Sequence, residues 1–353
     1  MTESVDDLRC QRRIWLGEKR SESKMKRLMS ARSVPYSVAE CFKDDVNIED
    51  FVKMLKGKGP TEIEVMVKLQ QAFMRDPQYA EAFLAVSGAY AELVRSLSGS
   101  RPIHALHASF CLCNLSANPS KLSAMHTKIV APFLMLHLDG MNDEFLDSCA
   151  WTVGNLSLVD QESWKILHSL GSLQKLANLV NHPKEGVVMS TVYSLTHIVL
   201  KAHKTLSESE SRLIASVINA QTVFVCDASR LLFQLSTTSY VDTELSSEDL
   251  VRAVVKKWHD LIMYSDLSEV TKISEVTYLV RYLGNVSCTN SQSAFHVIRA
   301  LTESKVALAA AFKTKFPHLI HELCWLLKNL QCHSDEEVRV LTSKTLGIGQ
   351  GFQ

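Results

Sequence analysis

The chain has 353 residues, 46% of them hydrophobic and 22% charged, with only 13 Gly and 8 Pro, which predicts a globular and mostly helical protein. Lys+Arg and Asp+Glu are both 38, so composition argues against a generic nucleic-acid binder. No apolar run reaches the roughly 18 residues of a membrane span, and no apolar stretch follows the first Met, so neither a span nor a secretory leader is expected.

The neutral total hides a split. Nine basic residues, Arg9, Arg12, Arg13, Lys19, Arg20, Lys24, Lys26, Arg27 and Arg32, are opposed only by Glu18 and Glu22, which makes this stretch +7 and the remainder −7. Residues 1–35 therefore read as a basic arm and residues 36–353 as an acidic body. Such an arm suits an acidic partner, including the protein's own body. A solvated tail or a nuclear-localisation patch is the alternative.

Along the body, three strings share the form large-x-x-x-Asn-apolar-Ser: Phe110–Ser116, Trp151–Ser157 and Arg281–Ser287. Weaker copies begin at Val67, Tyr193, Arg230 and Lys344. The first spacings are 43, 41, 42 and 37 residues, and the last two lengthen to 51 and 63. The longest gap reads as containing an inserted helix and turn at Ser304–Phe316. Within one unit, the string at Trp151 is followed by a polar break and a helix through Trp164, Ile166 and Leu167, which ends at Gly171. The next helix carries Leu173, Leu176 and Leu179 on one face. His182–Pro183 stops it, and Val187–Val199 starts the next unit. Three helices in about 42 residues is the armadillo pattern, in which stacked units bury what one unit cannot. The fold expected is an all-α, right-handed superhelical solenoid of about six to seven repeats.

Asp147, Trp151 and Asn155 stand at i, i+4 and i+8 and so share one helix face. Acid, aromatic and amide together suit an extended basic peptide. The carboxylate would attract a cation, the indole would pack a lysine stem, and the amide would bond the peptide backbone. A rim-packing Trp151 and a helix-capping Asn155 are the bland alternative. Trp151→Ala or Asn155→Ala is expected to weaken peptide binding. Trp325–Asn329 also fits the motif but reads as core in the second helix of its unit, so Trp325→Ala is expected to lower stability instead.

These residues resemble the importin-α family over nearly the whole chain. Residues 47–79 resemble its first repeat. Phe110/Asn114 and Trp151/Asn155 fall at its Trp-x-x-x-Asn pairs, Tyr193/His197 take the place of the next pair, and Arg281 with Asn285 matches an Arg that interrupts its tryptophan array. The resemblance implies an adaptor that binds basic nuclear-localisation signals in a groove and moves between cytoplasm and nucleus. It also implies that the arm, through Arg12, Arg13, Lys19, Arg20, Lys24, Lys26 and Arg27, engages importin-β, with Lys24–Arg27 folding back into the groove. The departures are the missing tryptophans and Lys344/Ile348 in the place of a Trp/Asn pair, which would disable a second peptide site. An armadillo scaffold or chaperone adaptor without cargo transport is the alternative.

No nucleophile elbow, phosphate loop or paired-carboxylate arrangement occurs, so no enzyme and no cofactor are expected. Cys111 and Cys113 lack a second pair, and His104/His107 and His318/His321 lack a third ligand, so no metal site is expected either. The nine scattered cysteines read as buried free thiols.

Overall fold

The structure, a computed structural model, describes residues 47–347 apart from 58, 60, 119–120, 203–204 and 239–241. The basic arm lies outside the described residues, as does Ile348. Among the described residues the chain is helical and contains no strand.

The helices are α1 (Ile48–Lys56), α2 (Glu62–Arg75), α3 (Pro77–Ala85), α4 (Ala89–Leu97), α5 (Pro102–Leu115), α6 (Ala124–Leu138) and α7 (Asp143–Ser157). They continue with α8 (Gln161–Ser169), α9 (Ser172–Leu179), α10 (Glu185–Ala202), α11 (Glu208–Ser216), α12 (Ala228–Leu235) and α13 (Asp242–Leu245). The last are α14 (Glu248–Tyr264), α15 (Val270–Val286), α16 (Ser291–Glu303), α17 (Lys305–Phe312), α18 (Pro317–Gln331) and α19 (Glu336–Thr345). The helices predicted through Trp164, through Leu173–Leu179 and through Val187–Val199 are α8, α9 and α10, with the break at Gly171 in the left-handed region (φ 77°). Local chemistry sets the ends. Asn142 accepts from the Glu144 and Phe145 amides to start α7, and Ser207 with Glu210 forms a capping box on α11.

Helices α2, α5, α7, α10, α12, α15 and α18 pack in succession and form one ladder. The other helices cover its opposite side, and the main apolar core runs from Ile48 to Val338. This is an all-α armadillo solenoid. Two units are irregular. In the third, α6 runs straight through Pro132 where other units break. In the fifth, the second helix shrinks to a 3₁₀ turn at Thr222–Phe224. Buried Lys257 from α14 donates to the Val223 and Val225 carbonyls (2.8 and 3.3 Å) and pairs with Glu275 (2.5 Å). Its ammonium thus caps carbonyls that a full helix would have paired.

The expected insertion at Ser304–Phe316 is not one. It holds α17, the regular middle helix of its unit, and α18 follows as the ladder helix. The thiol expectation holds for Cys111, Cys113 and Cys149, which are buried, but Cys288, Cys324 and Cys332 are exposed.

Burial holds the imidazoles of His107, His126 and His137 below the ordinary histidine range. His104 adds to the effect at His107, while Glu144 opposes it there and the Leu97 carbonyl opposes it at His137. All three sit near the α4–α7 junctions. The unfolded chain takes up their protons more readily than the folded one, so stability is full above about pH 6.5 and declines as pH falls below it. Thermal unfolding followed by circular dichroism should give a lower Tm at about pH 5.5 than at 7.5. A Tm that stays level or rises would refute this.

Candidate peptide groove

The ladder face carries the motif asparagines, and each uses its amide donor on the preceding rung. Asn114 Nδ2 donates to the Gln70 carbonyl (3.0 Å) and Asn155 Nδ2 to Ser116 Oγ (3.0 Å). Asn285 Nδ2 donates to Ser236 Oγ (2.9 Å) and Asn329 Nδ2 to the Gly284 carbonyl (3.3 Å). The repeating amide therefore stitches neighbouring ladder helices together. The sequence motif contains this second role, because the closing serine of its strings, Ser116 after Asn114 and Ser236 after Gln234, supplies two of the four acceptors.

The predicted stripe on α7 is brought together but largely covered. Asp147 accepts a hydrogen bond from Ser190 on α10. Trp151 is only 7% exposed, and its ring stacks on Tyr193 with centroids 4.0 Å apart and planes 10° from parallel. Asn155 is fully buried, and its Oδ1 accepts from the Tyr193 hydroxyl at 2.7 Å. Cys113 and Met74 complete this small apolar cluster, and His197 meets the Tyr193 ring edge-on at 4.3 Å. Phe110 is half-buried with its ring edge-on to His107. Asn155, expected as an amide open to a peptide backbone, is thus buried among the ladder helices. Its hydrogen-bonding groups are met from α5 and α10, which makes full burial tolerable.

The open part of the groove lies further along. Phe233 on α12, Arg281 and Asn285 on α15, and His321, Glu322 and Trp325 on α18 line an open cleft of about 310 Å³. Arg281 Nε and Nη2 both donate to Glu322 Oε1, at 2.8 and 2.6 Å. Its guanidinium lies over the Phe233 ring, 5.5 Å from the centroid, and Phe233 stacks on Tyr278. Trp325 is 38% exposed, so its reading as core is wrong. The helix was assigned to the wrong layer: α18 is a ladder rung packed on α15, and Trp325/Asn329 follow Arg281/Asn285 after 44 residues.

The same shift corrects the place given to Lys344. It lies on α19, which packs on α16 and α18 outside the ladder, so it does not replace a groove tryptophan. The sequence singles out neither Phe233 nor Glu322 as site residues, and it sets Trp325 aside as core. The signal for Trp325 was the regular spacing from Arg281, which the assumed insertion concealed. Chemically, the cleft offers a half-open indole face, an acid already shared with an arginine, and an amide. That set suits a cationic side chain lying flat on the indole.

No family model matches the sequence. The chain is 24% identical over 277 residues to importin subunit alpha-9 of Arabidopsis thaliana, covering 73% of this chain and 50% of that protein. It thus spans about half the length of that curated relative. Among solved structures, an engineered protein superposes with a TM-score of 0.53 at 15% identity, covering 85% of this chain and 88% of the other. The designed armadillo repeat protein YIII(Dq)4CqI superposes with a TM-score of 0.42 at 15% identity, covering 80% of this chain and all of the other. The repeated ladder helices, the motif spacing and the likeness to an importin-α subunit agree: the chain is a divergent importin-α-like armadillo-repeat protein.

Proposed function

We propose that the protein is an adaptor whose groove holds extended basic segments, such as the nuclear-localisation signals of cargo proteins, and whose arm engages importin-β. The observation that carries this reading is the cleft at Trp325, where a half-exposed indole stands beside Glu322 and Asn285 on the ladder face. The charge split supports it, since an acidic body and a basic arm suit a basic ligand and an acidic partner respectively. An armadillo solenoid is a binding scaffold, and its chemistry here is recognition without a reaction. Work in cytoplasm and nucleus follows from the same reading. No helix among the described residues is long and apolar enough to cross a membrane.

A second reading, an armadillo scaffold or chaperone adaptor that no longer carries cargo, is favoured by the covered Trp151–Tyr193 pair.

The test is a titration of a fluorescent lysine-rich peptide at two salt concentrations, with full-length protein and with residues 1–33 removed, alongside capture on importin-β. The adaptor reading expects measurable binding that weakens with salt, tighter binding after truncation, and capture that needs the arm. No binding and no capture would leave the scaffold reading.

A further inference from the structure

Resting on the groove reading above, we propose that Tyr193 is an internal occupant of the groove, gating the Trp151–Asn155 slot and setting which peptides it accepts. Three observations meet at this one side chain.

First, the phenol ring lies flat on the Trp151 indole, 4.0 Å centroid to centroid. That face is where a lysine stem would pack. Second, the Tyr193 hydroxyl donates to Asn155 Oδ1 at 2.7 Å, while Asn155 Nδ2 donates to Ser116 Oγ. The amide that would bond a peptide backbone is engaged on both sides by the protein itself. Third, the Trp151 Nε1–H is buried and has no hydrogen-bond partner among the described residues. A buried donor without an acceptor is costly, and an incoming carbonyl or carboxylate would relieve it.

Tyr193 thus reproduces two contacts of a ligand and leaves a third unmet. A flat apolar group covers the indole, a donor meets the amide oxygen, and the indole N–H waits for an acceptor. The ring is backed by His197 on its edge, and Cys113 and Met74 pack in the same cluster. A peptide entering here must displace the ring, so its contacts must offset one aromatic stack and one hydrogen bond. Groups that cannot do so are excluded, and the open cleft at Trp325 is read first.

The experiment titrates fluorescent octalysine against the full chain and three variants: Tyr193→Phe, Tyr193→Ala and the double variant Tyr193→Ala/Trp151→Ala. Acrylamide quenching of the tryptophans is measured in parallel without peptide. Losing the hydroxyl alone should tighten binding a few-fold, and losing ring and hydroxyl on the order of ten- to a hundredfold. The double variant should lose that gain. Quenching should rise in Tyr193→Ala, because Trp151 becomes accessible.

Parent-like affinity in both Tyr193 variants with unchanged quenching would overturn the gate. Should Tyr193→Ala fail to fold, Tyr193→Phe decides, because it keeps the stack. Parent-like affinity there overturns the gate, and tighter binding supports it. If no form binds octalysine, the groove reading fails and the gate falls with it, whereas parent binding that the Tyr193 variants leave unchanged overturns the gate alone.

Discussion

Trp325→Ala should weaken binding of a lysine-rich peptide by about 1–3 kcal/mol, the usual cost of removing a central aromatic anchor. Its Tm should stay close to the parent's, because a half-exposed ring leaves no closed cavity behind. Gly284 supplies an independent route to the same result. A Cβ built there would overlap the six-membered ring of Trp325, so Gly284→Ala must push the indole from its seat. Both variants should lose affinity together in calorimetric titrations. Full affinity in a folded Trp325→Ala would remove the cleft from the binding surface. An unfolded Trp325→Ala would return the residue to the core.

Gly154→Ala carries the largest expected loss of stability. A Cβ at 154 would stand 2.5 Å from Ser194 Oγ, 2.8 Å from its Cα and 3.0 Å from its Cβ. The closest group is already committed, since Ser194 Oγ donates to the Ala150 carbonyl at 2.5 Å. A side chain could rotate away, but the Ser194 Cα belongs to the α10 backbone, so α7 and α10 must separate. Such overpacking costs roughly 1–3 kcal/mol or more, and the better helix propensity of alanine returns about 1 kcal/mol at most. Thermal denaturation should show a clear fall in Tm. Adding Ser194→Gly should restore only part of it, because the overlap with the α10 backbone remains. An unchanged Tm in Gly154→Ala would mean that the two rungs stand further apart than described.

These two glycines share a place in the motif, three residues after the anchors Trp151 and Arg281. Each seats a side chain from the next rung, Ser194 on α7 and Trp325 on α15. The pattern Gly-Asn was visible in the sequence. What it accommodates was not, because the guest comes from about 40 residues further on.

The sequence by itself determined the helical class, the repeat and the boundaries within a unit. Those follow from local rules: apolar spacing along α9, the break at Gly171 and the stop at His182–Pro183. It also placed Trp151, Tyr193 and Arg281 correctly on ladder helices. Only the tertiary structure decided which of the ladder's aromatic residues meet solvent. Trp151 and Trp325 sit in equivalent motifs, yet one is covered and the other half-open. The difference lies in the following rung: Tyr193 on α10 lies over the first ring, whereas α18 is the last ladder helix among the described residues and no further rung covers the second. Exposure in a solenoid is a property of adjacent repeats, so no single repeat, read alone, can specify it.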